Sequence, residues 1–292
     1  MRVTQSELYR NFLADMNNIN KNLADIDRQL SSGKKVNKLA DSPSGSADLV
    51  VLTDKASRID AYRSNIGVSA YYLKTAETAL NETNNLVGAL YALGSQAVTD
   101  TVNNEGRAAI AIELRIIMEQ LLSLANSRAG DRFIFAGSQS TAAPFAVEDG
   151  AVVYKGDDRV NGVFIDDGVQ VRQGVAGNEA FGAIFSTLGD LLNSLEGNDI
   201  PGIKKALEGV SSALSDLGTA RGRIGVNLGL LRNQTMVLDA NAVMLKERQS
   251  ALEDADMLAA TVRLTQLQNT LETTMAVGGA ALSRKTLFDI LG

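Results

Sequence analysis

Apolar residues fall at Leu8, Phe12, Met16, Ile19, Leu23, Ile26 and Leu30, in steps of three and four. That spacing draws one narrow stripe on a helix of about 25 residues, roughly 38 Å long at 1.5 Å per residue. The opposite face is rich in Asn and Asp, so the stripe needs a partner.

The pattern then breaks across RQLSSGKKVNKLADSPSGSADL, residues 28 to 49. Gly33 and Gly45 are expected to permit turns there, and Pro43 to stop one helix from running into the next. Beyond the break Leu52, Ile59, Ile66, Leu73, Leu80 and Val87 repeat every seven residues and end at Gly94, the period of a coiled-coil seam. Mixed residues between them, such as Arg63, Glu77 and Asn84, predict a long helix covered on part of its surface. A third helix carries Ile110, Leu114, Ile117, Leu121 and Leu124 on one face.

The period changes at RFIFAGSQSTAAPF and AVVYKGDDRVNGVFIDDGVQVRQG. Short runs alternate, as in Val169 and Val171 with Gln170 and Arg172, between EDG, KGDD and DDG turns, which predicts a small β-rich insert over residues 132–175. Helical spacing resumes at Phe181, Ile184, Leu188, Leu191 and Leu195. A second seven-residue series runs from Ile203 through Val210, Leu217, Ile224, Leu231, Leu238, Leu245 and Leu252 to Ala259. Chance rarely sustains a heptad so long. Near residue 260 the apolar set shifts phase, to Leu264, Leu267 and Leu271. The last residues keep Leu282, Leu287, Phe288, Ile290 and Leu291, and an apolar chain end suggests burial against something.

The fold class expected is therefore mainly α, a long antiparallel helical bundle or coiled coil built from both chain termini with a small β-rich insert. A chain of 292 residues exceeds one ordinary domain. Three parts are expected: 1–32 with 262–292, 33–131 with 176–261, and 132–175. With 5% aromatic residues and no Trp, the core should be largely aliphatic.

Composition narrows the chemistry. The chain has no Cys and no His, which removes disulfides, thiolate nucleophiles, Cys or His zinc sites and imidazole acid-base chemistry. A net charge of −6 gives no footprint for nucleic acid, and the one basic cluster, Lys34, Lys35 and Lys38, reads as a solvated turn. No run is long enough to span a bilayer, and no cleavable signal peptide is visible.

Three stretches invite a chemical reading and do not support it. GTARGRIGVNLG places Gly218, Gly222, Gly225 and Gly229 on one helix face without the strand or Lys-Ser/Thr of a phosphate loop, so close helix packing is expected. Asp157-Asp158 and Asp166-Asp167 lack calcium-loop spacing and read as hairpin turns. RAGDRFIFAGS reads as a helix end, a turn and a buried strand. No catalytic residue, metal site or cofactor is expected.

If the terminal segments pair antiparallel, the break near residue 33 and the phase shift near 260 lie at comparable depths and mark one joint. This arrangement, with LSSGKKVNKLADSPSGSA, the opening MRVTQSELYRNFL, ANSRAGDRFIFAGSQSTAAPF followed by YKGDD, and the closing LTQLQNTLETTMAVGGAALSRKTLFDIL, resembles the bacterial flagellin family. The resemblance covers essentially the whole chain, and Pro43 is similar to the proline of the family's hook-associated junction branch. Asp41-Ser42 departs from the double acid usual before it.

The resemblance implies a non-enzymatic structural subunit of the flagellum at the junction between hook and flagellin filament. It would be exported unfolded without a cleavable signal and would self-assemble into a ring. Its implied partners are hook-associated protein 1, flagellin and a cytoplasmic export chaperone on the C-terminal segment, with no nucleic acid and no membrane. Phe12, Ile19, Leu23, Ile26 and Leu30 with Leu264, Leu267, Leu271, Leu282 and Leu287 would form the inner layer. Gly33, Pro43 and Gly45 would make the joint to the layer outside it. Flagellin itself, or a coiled-coil adhesin or secretion-needle tip protein, are the alternative readings.

Overall fold

The computed structural model describes residues 5–38 and 41–282. Six α-helices are described: α1 (Gln5–Ser32), α2 (Pro43–Ala97), α3 (Asn104–Ala125), α4 (Ala183–Glu196), α5 (Ile200–Glu253) and α6 (Met257–Leu282). Two compact units are present, residues 1–57 with 241–292 and residues 58–240, and the divisions fall inside α2 and α5.

In the unit of residues 58–240 the heptad positions become the core. Ile59, Ile66, Leu73, Leu80 and Val87 of α2 are buried, as are Ile203, Val210, Leu217, Ile224, Leu231 and Leu238 of α5. The helices run antiparallel: a Cβ added at Gly94 would sit 2.7 Å from Leu207, while Arg63 pairs with Asp239 at the other end. Each fully buried leucine in such a seam contributes about 1.5–3 kcal/mol. The seam also buries Ser69 and Thr83. Their hydroxyls donate to Asn65 O at 2.7 Å and Ala79 O at 2.8 Å, so neither is left unsatisfied. Helix α3 buries Leu114, Ile117 and Leu121, and packs on α4.

Residues 128–172 form three separate two-stranded antiparallel hairpins, β1 (Arg128–Ala129) with β2 (Arg132–Phe133), β3 (Phe145–Glu148) with β4 (Ala151–Tyr154), and β5 (Gly162–Asp166) with β6 (Val169–Arg172). The EDG turn takes left-handed conformations at Asp149 and Gly150, and the DDG turn closes on Gly168.

Asp157 forms no hairpin turn. It accepts bonds from the Ser138 backbone and hydroxyl and from Arg159 N, which holds its carboxyl below the usual range, Ser138 being the main cause. Gly137 has φ of +67° and Asp157 against its α-carbon, so the glycine of FIFAGS is fixed by conformation and crowding together.

FIFAGS is strand only at Phe133, the end of β2, and turns from Ile134 onward. Phe135 has no exposure and meets Phe181 edge-on at 4.9 Å, in a cluster completed by Phe145, Phe185 and Tyr154. The aliphatic expectation misses this cluster because Phe181 and Phe185 lie far along the chain from Phe135. Asn126 ties α3 to β3 by bonding both the N–H and the C=O of Phe145 at 3.0 Å.

A candidate assembly surface on the terminal helices

In the unit of residues 1–57 with 241–292, α1 and α6 pack along one another. The antiparallel sense is fixed at both ends. Phe12 lies on Gly278, where any Cβ would overlap its ring, and Gly33 bonds to the start of the α6 segment.

The joint near residue 33 is a clasp. Gly33 ends α1 with φ of +71°. Lys35 N donates to Glu253 O at 2.7 Å and Ala255 N to Gly33 O at 2.8 Å, a short antiparallel bridge between the two interruptions. Lys34 Nζ pairs with Glu253 at 2.5 Å, and Lys35 Nζ donates to Ala251 O at 2.8 Å. Lys34 and Lys35 of this break therefore tie it to the end of α5.

Downstream, Asp41 Oδ2 accepts from Asn37 N at 3.0 Å and Lys38 N at 2.8 Å, and these bonds, Asn37 first, hold its carboxyl below the usual range. Ser42 Oγ accepts from Gly45 N at 3.2 Å and caps α2.

Two residues of the joint sit differently from expectation. Pro43 is the first residue of α2, where its missing N–H costs nothing, so it starts that helix. Gly45 lies inside the first turn and makes no bend; a Cβ there would come within 2.7 Å of the capping hydroxyl.

The phase shift near 260 is a true interruption. Helix α5 ends at Glu253 and α6 begins at Met257, with Asp256 Oδ1 accepting from Leu258 N and Ala259 N at 3.0 Å each. An acid before MLAATV is the cap signal that heptad counting passed over.

Of the stripe residues, Ile26 is buried, while Phe12, Ile19, Leu23, Leu30, Leu264, Leu267 and Leu271 are half-buried. Leu282 is the last residue of α6, and Leu287 lies outside the described residues. Leu8, the first residue of the α1 stripe, is exposed, and beyond the stripes the pair exposes Tyr9 and Leu13 on α1, and Leu258 and Val262 on α6. A groove of about 400 Å³ lined by Asn22, Ile26, Gln29, Ala255, Ala260 and Arg263 opens to solvent beside the clasp. Two helices alone leave these apolar faces wet.

The four-glycine face of α5 is the clearest departure from expectation. Nothing lies within 4 Å of a Cβ added at Gly218, Gly222, Gly225 or Gly229. The seam that buries Leu217 and Ile224 is on a different face of the helix, and among the described residues no element of this chain packs on the glycines. Among the described residues there is no cluster of acidic side chains placed to hold a metal, and no helix is long and apolar enough to cross a membrane.

The description of the bacterial flagellin N-terminal helical region matches residues 4–140, and that of the flagellin C-terminal helical region matches residues 200–284. This chain belongs to the bacterial flagellin family. Flagellar hook-associated protein 3 of Salmonella typhimurium is 24% identical over 284 residues, covering 88% of this chain and 89% of the relative. A flagellin of Listeria monocytogenes is 20% identical over 258 residues, covering 88% of each chain. The flagellar junction protein of Legionella pneumophila shares the fold, with a TM-score of 0.61 and 15% identity over 71% of this chain and all of that one. Membership in the flagellin family makes this a component of the bacterial flagellum, in a family of structural proteins that assemble with other flagellar components.

Proposed function

We propose that the chain is the structural subunit joining the hook, through another hook-associated protein, to the flagellin filament. The observation that carries this reading is the α1 and α6 pair, which presents Leu8, Leu13, Leu258 and Val262 to solvent and half-buries its own stripe. Apolar area left exposed on two ordered helices is recovered when neighbouring copies cover it. Flagellin-family membership, with a hook-associated relative aligned over most of both chains, supplies the setting.

In this reading residues 1–32 and 262–292 form the inner layer of a ring, with Gly33, Pro43 and Gly45 at the joint. Residues 33–131 and 176–261 form the layer around it, and 132–175 the outer surface. Hook-associated protein 1 lies on one side of the ring and flagellin on the other. A cytoplasmic chaperone holds the C-terminal segment before export, which proceeds without a cleavable signal. No catalytic step, nucleic acid or membrane takes part.

Deleting the gene tests this. Cells should then carry bare hooks and release flagellin into the medium, and filaments still firmly attached would overturn the reading. The second reading, filament subunit, rests on the Listeria flagellin, which aligns over a similar share of this chain. Abundance separates the two, since a filament needs far more copies than a ring.

A further inference from the structure

We infer that α3 of one copy seats in the glycine trough of α5 of the next, so that Ile112 and Ile116 fill the space over Gly218, Gly222, Gly225 and Gly229. This rests on the self-assembly proposed above and names the surfaces that meet within the unit of residues 58–240.

Two costly features of that unit have no explanation within one copy. Glycine in a helix interior is destabilising relative to alanine, yet α5 carries four on its solvent side with open space above them. Meanwhile α3 buries Ile110, Leu114, Ile117 and Leu121, and its opposite face centres on Ile112 and Ile116, 63% and 53% exposed. One helix is a trough without a ridge and the other a ridge without a trough. Gly222 and Gly229 stand open in this copy, so a second copy must bring the two faces together.

Spacing and charge agree with the pairing. Residues four apart on a helix are neighbours about 6 Å apart, so the step from Ile112 to Ile116 matches that from Gly218 to Gly222 or from Gly225 to Gly229. Small residues let helices approach closely, and the shapes interlock as ridge into groove. Glu113 and Glu119 border the isoleucines, whereas Arg221 and Arg232 border the glycines, and among the described residues none of the four has an ion-pair partner. Arg221 Nε is moreover buried without a partner. Val226, 71% exposed, forms part of the opposite wall of the trough. Because the two faces differ, the contact is head-to-tail, the kind that closes into rings or continues as a helix.

The absence of cysteine allows a clean test. The double variant Ile116→Cys with Gly225→Cys replaces the natural chain in cells, with motility showing that it folds and assembles, and isolated flagella are oxidised mildly. A ladder of disulfide-linked subunits is expected from the double variant and none from either single variant. A band from Ile116→Cys alone would mean a face meeting its own copy, and no ladder from motile cells would mean that the faces do not meet; either overturns the inference. Should the pair abolish motility, Ile112→Cys with Gly222→Cys reads the same contact one turn away. The outcome is separate from the junction reading, which retention of filaments decides whether or not cross-links form.

Discussion

Phe12 rests on Gly278, the only residue type that leaves room for its ring between α1 and α6. Alanine at 278 would favour the helix by roughly 1 kcal/mol in isolation and would overlap the ring here. Gly278→Ala should therefore loosen the pair by about 1–3 kcal/mol, the cost of overpacking a fitted contact. Pairing Gly278→Ala with Phe12→Leu should recover most of the loss. Hydrogen exchange of α1 amides in the four corners of this double-mutant cycle measures the coupling.

At the clasp, Gly33 has φ of +71° and open space around it, so only its backbone conformation forbids a side chain. Gly33→Ala is expected to cost roughly 1–2 kcal/mol, the penalty of an L-residue held left-handed. Gly33→Asn should cost less, because asparagine tolerates that region. Urea unfolding of the intact chain distinguishes the two.

Acid should release the Asp157 tie. Its folded-state carboxyl titrates below its ordinary value, chiefly because of Ser138, so the tie contributes stability above the unfolded value and loses it as pH falls through the folded one. Thermal melts of the natural chain and of Asp157→Asn should differ at neutral pH and converge at strongly acid pH. Ser138→Ala should raise the Asp157 titration point in an NMR titration, and an unchanged value would show that the bonds do not set it.

Burial separates folding residues from assembly residues. Leu80 has no exposure, and Leu80→Ala should cost about 2–5 kcal/mol of monomer stability. Leu258 is 78% exposed, so Leu258→Ala should leave the monomer melt within about 0.5 kcal/mol of the natural chain.

Much of the helical architecture was legible because its signal is periodic. The seven-residue series of Ile59 to Val87 and Ile203 to Leu238 became buried seams, and the stripe from Phe12 to Leu30 faces α6. The phase shift near 260 pointed to the right place, but the break itself depends on one cap, Asp256, and a cap has no period. The roles of Lys34 and Lys35 were hidden because their partners, Glu253 and Ala251, are distant in sequence. The glycines of α5 form the expected stripe, and among the described residues no element of this chain packs on it. Periodicity identifies the face that needs covering and is silent about which molecule covers it.

The central claim is that the outer apolar face of the terminal helices holds the junction together. Leu258→Asp with Val262→Asp tests it most directly, since both side chains are exposed in the single copy and a charge there should not unfold it. The measurement is the fraction of hooks that carry filaments, by electron microscopy of cells expressing only this variant. The account predicts bare hooks, with the variant exported and its monomer melt unchanged. A natural share of filament-bearing hooks would contradict it.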